Sequence, residues 1–202
     1  MSKLCKNCKD NCCIHENGGT FITLHESLRI AKALKISVDD VCEFIQDKDL
    51  KTENDYLHYY NMFITIQNKI IPLSYKKYTL VLKHNGKKCK FLGEKGCTIS
   101  KLRPAYCHIY PFWFKEDKNG ISIYPMKYNS KEEETCLIYK KYFNNKNYTK
   151  IISEINETPK SLLKIISKFI EEVKIFQTYA PELYKGIPPS VVCKEYKIEK
   201  SL

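Results

Sequence analysis

Ten cysteines in 202 residues constrain this chain more than any other feature. A chain this long can bury a core large enough to fold without disulfides, so the cysteines need another explanation. The opening stretch MSKLCKNCKDNCC holds no apolar run that could serve as a signal-peptide core, and the expected compartment is the reducing cytoplasm. Thiols there are available to metal. Their spacing is far from random. Cys5, Cys8, Cys12 and Cys13 fall within nine residues; Cys89, Cys97 and Cys107 form a second group, and Cys136 follows. Cys42 and Cys193 stand apart, and both read as small buried hydrophobes.

A Cys-x-x-Cys turn such as Cys5 to Cys8 brings two sulfurs to one side of a tight loop, as a metal held by thiolates at about 2.3 Å requires. Neighbouring side chains diverge in extended and turn conformations. The vicinal pair Cys12-Cys13 therefore suits two sites, or one site and a bridging role. The eight thiols other than Cys42 and Cys193 match two four-cysteine sites, or one cluster with additional reactive thiols. All-thiolate ligation selects zinc or an iron–sulfur cluster. A zinc ribbon pairs two Cys-x-x-Cys knuckles, whereas this chain has one knuckle and wider, irregular spacing after it, which favours iron and sulfide over zinc. The ferredoxin run Cys-x-x-Cys-x-x-Cys-x-x-x-Cys-Pro is absent, and His15 stands where a radical S-adenosylmethionine motif read from Cys8 and Cys12 would need cysteine.

Other residues near the thiols have ordinary alternatives. His15 and His108 adjoin candidate ligands but fit surface or capping roles better. Arg103 could balance a thiolate cluster or pair with a surface carboxylate. Pro104 and Pro111 are expected to stiffen the ligand loop, and the aromatic run Tyr106, Tyr110, Phe112, Trp113 and Phe114 is expected to close over the site as a lid.

The formal charge is +11, which invites a nucleic-acid reading. Its distribution argues against one. The first 136 residues carry +6 and the remainder +5, so no basic arm emerges, and only Arg29 and Arg103 among the 34 bases are arginine. A base-reading surface uses arginine for bidentate contacts to guanine. Neither a Gly-x-Gly-x-x-Gly fingerprint, a phosphate loop nor a nucleophile elbow is present. No run of residues is long and apolar enough to serve as a transmembrane segment.

Thr23-Leu24-His25-Glu26 has the form of a capping box, and Leu24, Leu28, Ala31 and Leu34 recur at helical spacing after it. Ser37 to Asp40 reads as the start of a second, shorter helix through Val41, Phe44 and Ile45, which would carry Cys42. Strands are expected over residues 59–66, 78–82 and 90–92, and a hairpin is expected between 112–114 and 121–124 across Asn119-Gly120. Helix returns after Ser130. Thr158-Pro159 then starts a last helix with Leu162, Ile165, Ile166, Phe169, Ile170, Val173 and Phe176 on one face and Lys160, Lys164, Lys168 and Glu172 on the other. Such a basic amphipathic helix occurs on membrane surfaces and, more commonly, in soluble proteins.

Taken together, the opening Cys-x-x-Cys with its vicinal pair, the segment 18–45, the run Cys89-x-Phe-Leu to Gly96-Cys97-x-Ile, and Arg103-Pro104-x-x-Cys107-x-x-Tyr-Pro111 resemble the YkgJ-type cysteine-cluster family. The chain differs in placing three residues, Lys9, Asp10 and Asn11, before the vicinal pair where the family usually has two. The resemblance implies a zinc- or iron-chelating domain with Cys5, Cys8, Cys12, Cys13, Cys89, Cys97 and Cys107 as ligands and Cys136 as the eighth. It covers roughly residues 1–140. The expected architecture is α+β: a compact, loop-rich, cysteine-rich metal-binding domain over 1–140 with a helical extension over 141–202. The expected cofactor is an iron–sulfur cluster, with zinc as the alternative and a zinc-stabilised adaptor as the corresponding role. The flagellin lysine methylases contain a similar cysteine domain, which adds S-adenosylmethionine-dependent methyl transfer to lysine as a further reading. No separate catalytic domain is evident for it.

Overall fold

The computed structural model describes residue 13 and residues 19–48, 50–55, 63–125, 148–155 and 157–198. Helix α1 (Leu24–Leu34) begins at the capping box. The Thr23 hydroxyl accepts the Glu26 N–H at 3.1 Å, and the Glu26 carboxylate accepts the Thr23 N–H at 3.0 Å. Two orphan donors of the helix start are thereby satisfied. The helix ends at Lys35, whose left-handed backbone (φ 56°) turns its N–H back onto the Ala31 and Lys32 carbonyls.

The short helix expected to carry Cys42 does not form. Ser37 caps a single 3₁₀ turn, Val38–Asp40, and the chain then enters strand β1 (Cys42–Gln46). Val41, Phe44 and Ile45 suit either element, and an available strand partner decides between them: β5 (Tyr78–Leu82) pairs with β1 antiparallel, Cys42 opposite Leu82. β4 (Ser74–Tyr75) completes this three-stranded sheet on the other side of β5.

A second sheet has the order β11-β10-β2-β3, formed by β2 (Phe63–Ile66), β3 (Lys69–Pro72), β10 (Phe112–Asp117) and β11 (Gly120–Pro125). β10 and β11 are the expected hairpin, extended to Phe112 opposite Pro125, and Gly120 supplies the positive φ (105°) at its turn. β10 runs parallel to β2. The expected strand over 59–66 is found from Phe63; residues 59–62 lie outside the described residues. The strand expected at 90–92 is instead divided between two miniature hairpins, β6 (His84–Asn85) with β7 (Lys88–Cys89), and β8 (Leu92–Gly93) with β9 (Gly96–Cys97). Glycines at 86 and 96, both at positive φ, turn the chain too often for one continuous strand. A short helix, α2 (Ala105–Ile109), follows.

The start of the helix expected after Ser130 lies outside the described residues; α3 (Tyr148–Glu154) precedes the long α4 (Pro159–Tyr184) and the short α5 (Pro189–Glu195). Thr158 and Pro159 begin α4 as their sequence indicates, and Ser161 closes the cap by accepting the Thr158 N–H at 2.8 Å. Leu162, Ile166, Phe169, Ile170, Val173 and Phe176 are buried in one core with Phe21, Leu24, Ile64, Leu80 and Phe114. Each such side chain is worth about 1.5–3 kcal/mol. This accounts for the apolar stripe without a membrane, and among the described residues no helix is long and apolar enough to cross one. Glu172, expected on the polar face, is also buried. It accepts the Arg29 guanidinium at 2.7 Å and the Thr23 hydroxyl, so α4 is fastened to the cap of α1. Gln177 donates to the Pro72 and Ser74 carbonyls, and Ser190 to Asp39, extending the same fastening to β3, β4 and α5.

Candidate metal centre

Of the eight predicted ligands, Cys13, Cys89, Cys97 and Cys107 are described; Cys5, Cys8, Cys12 and Cys136, together with His15, lie outside the described residues. Each of the four occupies a chain reversal or a helix start. Cys89 ends the first hairpin opposite His84, after the turn at Gly86 (φ 61°), and is buried. Cys97 ends the second hairpin opposite Leu92. The loop between them is drawn around the buried Phe91, whose carbonyl accepts both the N–H (2.9 Å) and the hydroxyl (3.0 Å) of Thr98. Cys107 is the third residue of α2, its N–H donating to the Pro104 carbonyl at 2.9 Å.

Cys13 is joined to the second cysteine group through the backbone. The Cys89 N–H donates to the Cys13 carbonyl at 2.8 Å. A close approach nearby explains Gly19: a β-carbon there would stand 2.8 Å from both His84 Cε1 and Val81 Cβ, inside van der Waals contact. The glycine thus lets the chain that follows the first cysteine group pass against the first hairpin. Among the described residues no three of His, Cys, Asp and Glu are gathered tightly enough to hold a metal ion.

Burial places Cys42, Cys193 and Cys89 in the core and the other described cysteines at its margin. Cys42 and Cys193 are 1 % exposed and lie in the apolar core. Burial pushes the Cys42 thiol up to about 12, so it stays protonated at neutral pH and packs as a hydrophobe, its Sγ–H directed at the Val38 carbonyl. Cys13, Cys97 and Cys107 are only half-buried, packed at the margin of that core. Thiols at a margin can meet an ion, and sulfur donors fit zinc or iron.

The neighbours are placed differently from their sequence expectations. Phe112, Trp113 and Phe114 do not form a lid: all three belong to β10 and are buried in the core, with Tyr106 packed edge-on against Trp113. Burial of consecutive residues is confined to the first half of β10, where side chains on both faces are packed in. Arg103 donates from Nε to the Ser100 carbonyl at 3.1 Å, a local turn contact. Pro104 is the N-cap of α2, and Pro111 follows a cis peptide bond. His108 Nδ1 lies 2.7 Å from Glu157 Oε1. Burial, reinforced by Arg103, lowers the His108 pKa below the usual histidine range, so the ring is neutral at pH 7 and its Nδ1–H donates to Glu157.

Sequence reasoning missed two carboxylates that touch α2. Glu157 is one. The other is Glu26, recognised as a capping-box residue but not as a partner of Ala105, whose N–H donates to Glu26 Oε1 at 2.6 Å. No local motif could reveal either contact, because each joins residues far apart in the chain.

A family model described as "Putative zinc- or iron-chelating domain", CxxCxxCC, matches residues 4–161, which span the predicted ligands and also Glu157. No solved structure matches the chain.

Proposed function

The chain belongs to the CxxCxxCC family, and from that premise we propose that it is an iron–sulfur protein whose cluster chemistry is carried by Cys5, Cys8, Cys12, Cys13, Cys89, Cys97, Cys107 and Cys136. The observation that supports the reading best is the backbone hydrogen bond from Cys89 to Cys13, which joins the last cysteine of the amino-terminal group to the first hairpin of the second group. Without such a junction the two groups could serve unrelated purposes.

Iron and sulfide are preferred over zinc on the form of the hairpins. A zinc knuckle carries two cysteines across one tight turn. Here each hairpin carries a single cysteine, on its second strand, opposite His84 in one case and Leu92 in the other. Ligands contributed singly, from separate turns and from the start of α2, suit a cluster whose irons each take one terminal thiolate. Zinc chelation is the alternative that the family description keeps open.

Anaerobic purification of the full chain, followed by quantitation of iron, zinc and acid-labile sulfide, tests the proposal. The expected result is iron and sulfide in equal amounts with visible absorption that bleaches on reduction. A colourless protein holding stoichiometric zinc and no sulfide would replace the iron reading with the zinc one.

A further inference from the structure

We propose that Glu26 and Glu157 are positioning residues for the metal centre, gripping the two ends of helix α2 and thereby setting where the Cys107 sulfur stands. The inference rests on the reading of Cys107 as a ligand.

Helix α2 cannot hold itself. At five residues it is far shorter than the roughly 12–15 needed for even marginal stability in isolation. Its N-cap is Pro104, which offers no side-chain acceptor, so its first amide needs a partner from elsewhere. Glu26 supplies it. One oxygen of this carboxylate, which is 2 % exposed, accepts the Ala105 N–H at 2.6 Å, while the other closes the capping box on Thr23 at 3.0 Å. Arg29 Nη2 stands 3.7 Å from the first oxygen, and its Nη1 binds Glu172 on α4. A single buried carboxylate thus caps two helices at once, and it is itself held by a charged partner.

The other end of α2 is fastened just as specifically. His108 donates through Nδ1 to Glu157 Oε1 at 2.7 Å, and Glu157 Oε2 accepts the Ser161 hydroxyl at 2.7 Å. The Glu157 N–H in turn donates to the Ile152 carbonyl at 3.1 Å. Glu157 is therefore fixed by α3 on one side and by the first turn of α4 on the other. Cys107 lies between Ala105 and His108, so its backbone is held on both sides by hydrogen bonds to carboxylates, the stronger class of hydrogen bond.

Groups that orient metal ligands typically change metal affinity by about 10–100-fold when removed, and they shift the electronic properties of the site. Neither carboxylate needs to touch the metal to do this.

The test uses the full chain, stripped of metal under anaerobic conditions and titrated with Co²⁺ alone, whose thiolate charge-transfer and d–d bands report the ligands. Cys107→Ser should weaken Co²⁺ binding and reduce the charge-transfer intensity. Glu157→Ala should weaken binding by about 10–100-fold and shift the d–d bands. Glu157→Gln, which still offers His108 an acceptor, should restore most of both. Glu26→Gln should also weaken binding, because its amide NH₂ must face one of the two N–H groups the carboxylate accepts. If Glu157→Ala fails to fold, Glu157→Asp, which withdraws the carboxylate by one methylene, should shift the bands instead. Loss of binding in Cys107→Ser with wild-type affinity and spectrum in the Glu157 and Glu26 variants overturns the positioning role alone. Wild-type binding in Cys107→Ser removes Cys107 from the ligand set, and the positioning role falls with it.

Discussion

Helix α4 and the segment from His84 to Ile109 lie in the same molecule but are held together by opposite means. α4 runs for 26 residues, opens on its own Thr158 and Ser161 cap and buries a continuous stripe of apolar side chains. The cysteine-bearing segment consists of two hairpins with two residues per strand and one five-residue helix. Several of its polar groups are satisfied from outside: the Cys89 amide by Cys13, the Ala105 amide by Glu26, His108 by Glu157, and the Lys90 ammonium by the Asp40 carbonyl at 2.8 Å. A region built this way is ordered by its partners, and a bound metal is the most powerful partner available to it.

The largest effect should come from removing metal. Chelation should abolish amide exchange protection across residues 84–109 while leaving α4 protected, since metal binding at cysteine sites contributes several kcal/mol of folding free energy locally. Hydrogen exchange read by mass spectrometry distinguishes the two regions. Equal loss in both would dissolve the contrast.

Truncation of the α4 core should act in the reverse sense. Phe169 meets Phe21 and Phe114 edge-on with ring centroids 5.9 and 6.1 Å away, and it is 1 % exposed. Phe169→Ala should lower global stability by about 3–5 kcal/mol in denaturant unfolding, to the same extent with and without metal. A cost that vanished in the metal-free chain would show that α4 depends on the cysteine region.

Glu26 connects the two regions, and its titration should be visible. Burial, then the nearby Glu172 charge, raises the Glu26 carboxyl to about 7, against the hydrogen bonds from Ala105 and Thr23 and the Arg29 charge, which oppose the shift. The native state therefore binds the proton more tightly than the unfolded chain does. Its contribution to stability is fully present below the ordinary glutamate range and is lost as pH rises through about 7. The charged groups acting on it are Arg29 from α1 and Glu172 from α4. Urea midpoints from pH 4.5 to 8 should fall with rising pH more steeply in the wild type than in Glu26→Gln. Parallel slopes would mean that Glu26 is ionised throughout.

What the sequence makes legible follows the same division. The caps at Thr23 and Thr158 and the α4 stripe are local patterns, and they appear where the residues indicate. The hairpin of β10 and β11 is legible for the same reason. The cysteine groups are legible as motifs, because metal chemistry demands particular residues at short range. The strand at Cys42, the burial of Glu172, the core position of Trp113 and the grip on α2 depend on residues brought together from distant parts of the chain. No window of sequence contains that information. Aromatic residues beside a ligand loop suit a lid or a core equally well until the neighbouring sheet is known.

The smallest effect isolates capping itself. In α4 the acceptor is local: the Thr158 hydroxyl takes the Ser161 N–H at 3.1 Å, and both residues sit at the helix start. Thr158→Ala removes that acceptor from an exposed helix end where water can replace it, and should lower stability by about 1 kcal/mol. The long helix beyond the cap is held by burial, so the loss should appear only as fraying of the first turn, seen as faster exchange at residues 159–162. In α2 the acceptor is distant and buried, and no water replaces it, so the corresponding loss in Glu26→Gln should exceed that of Thr158→Ala and spread to α1 as well. Equal costs at the two helices would mean that the buried carboxylate caps α2 no better than an exposed hydroxyl caps α4.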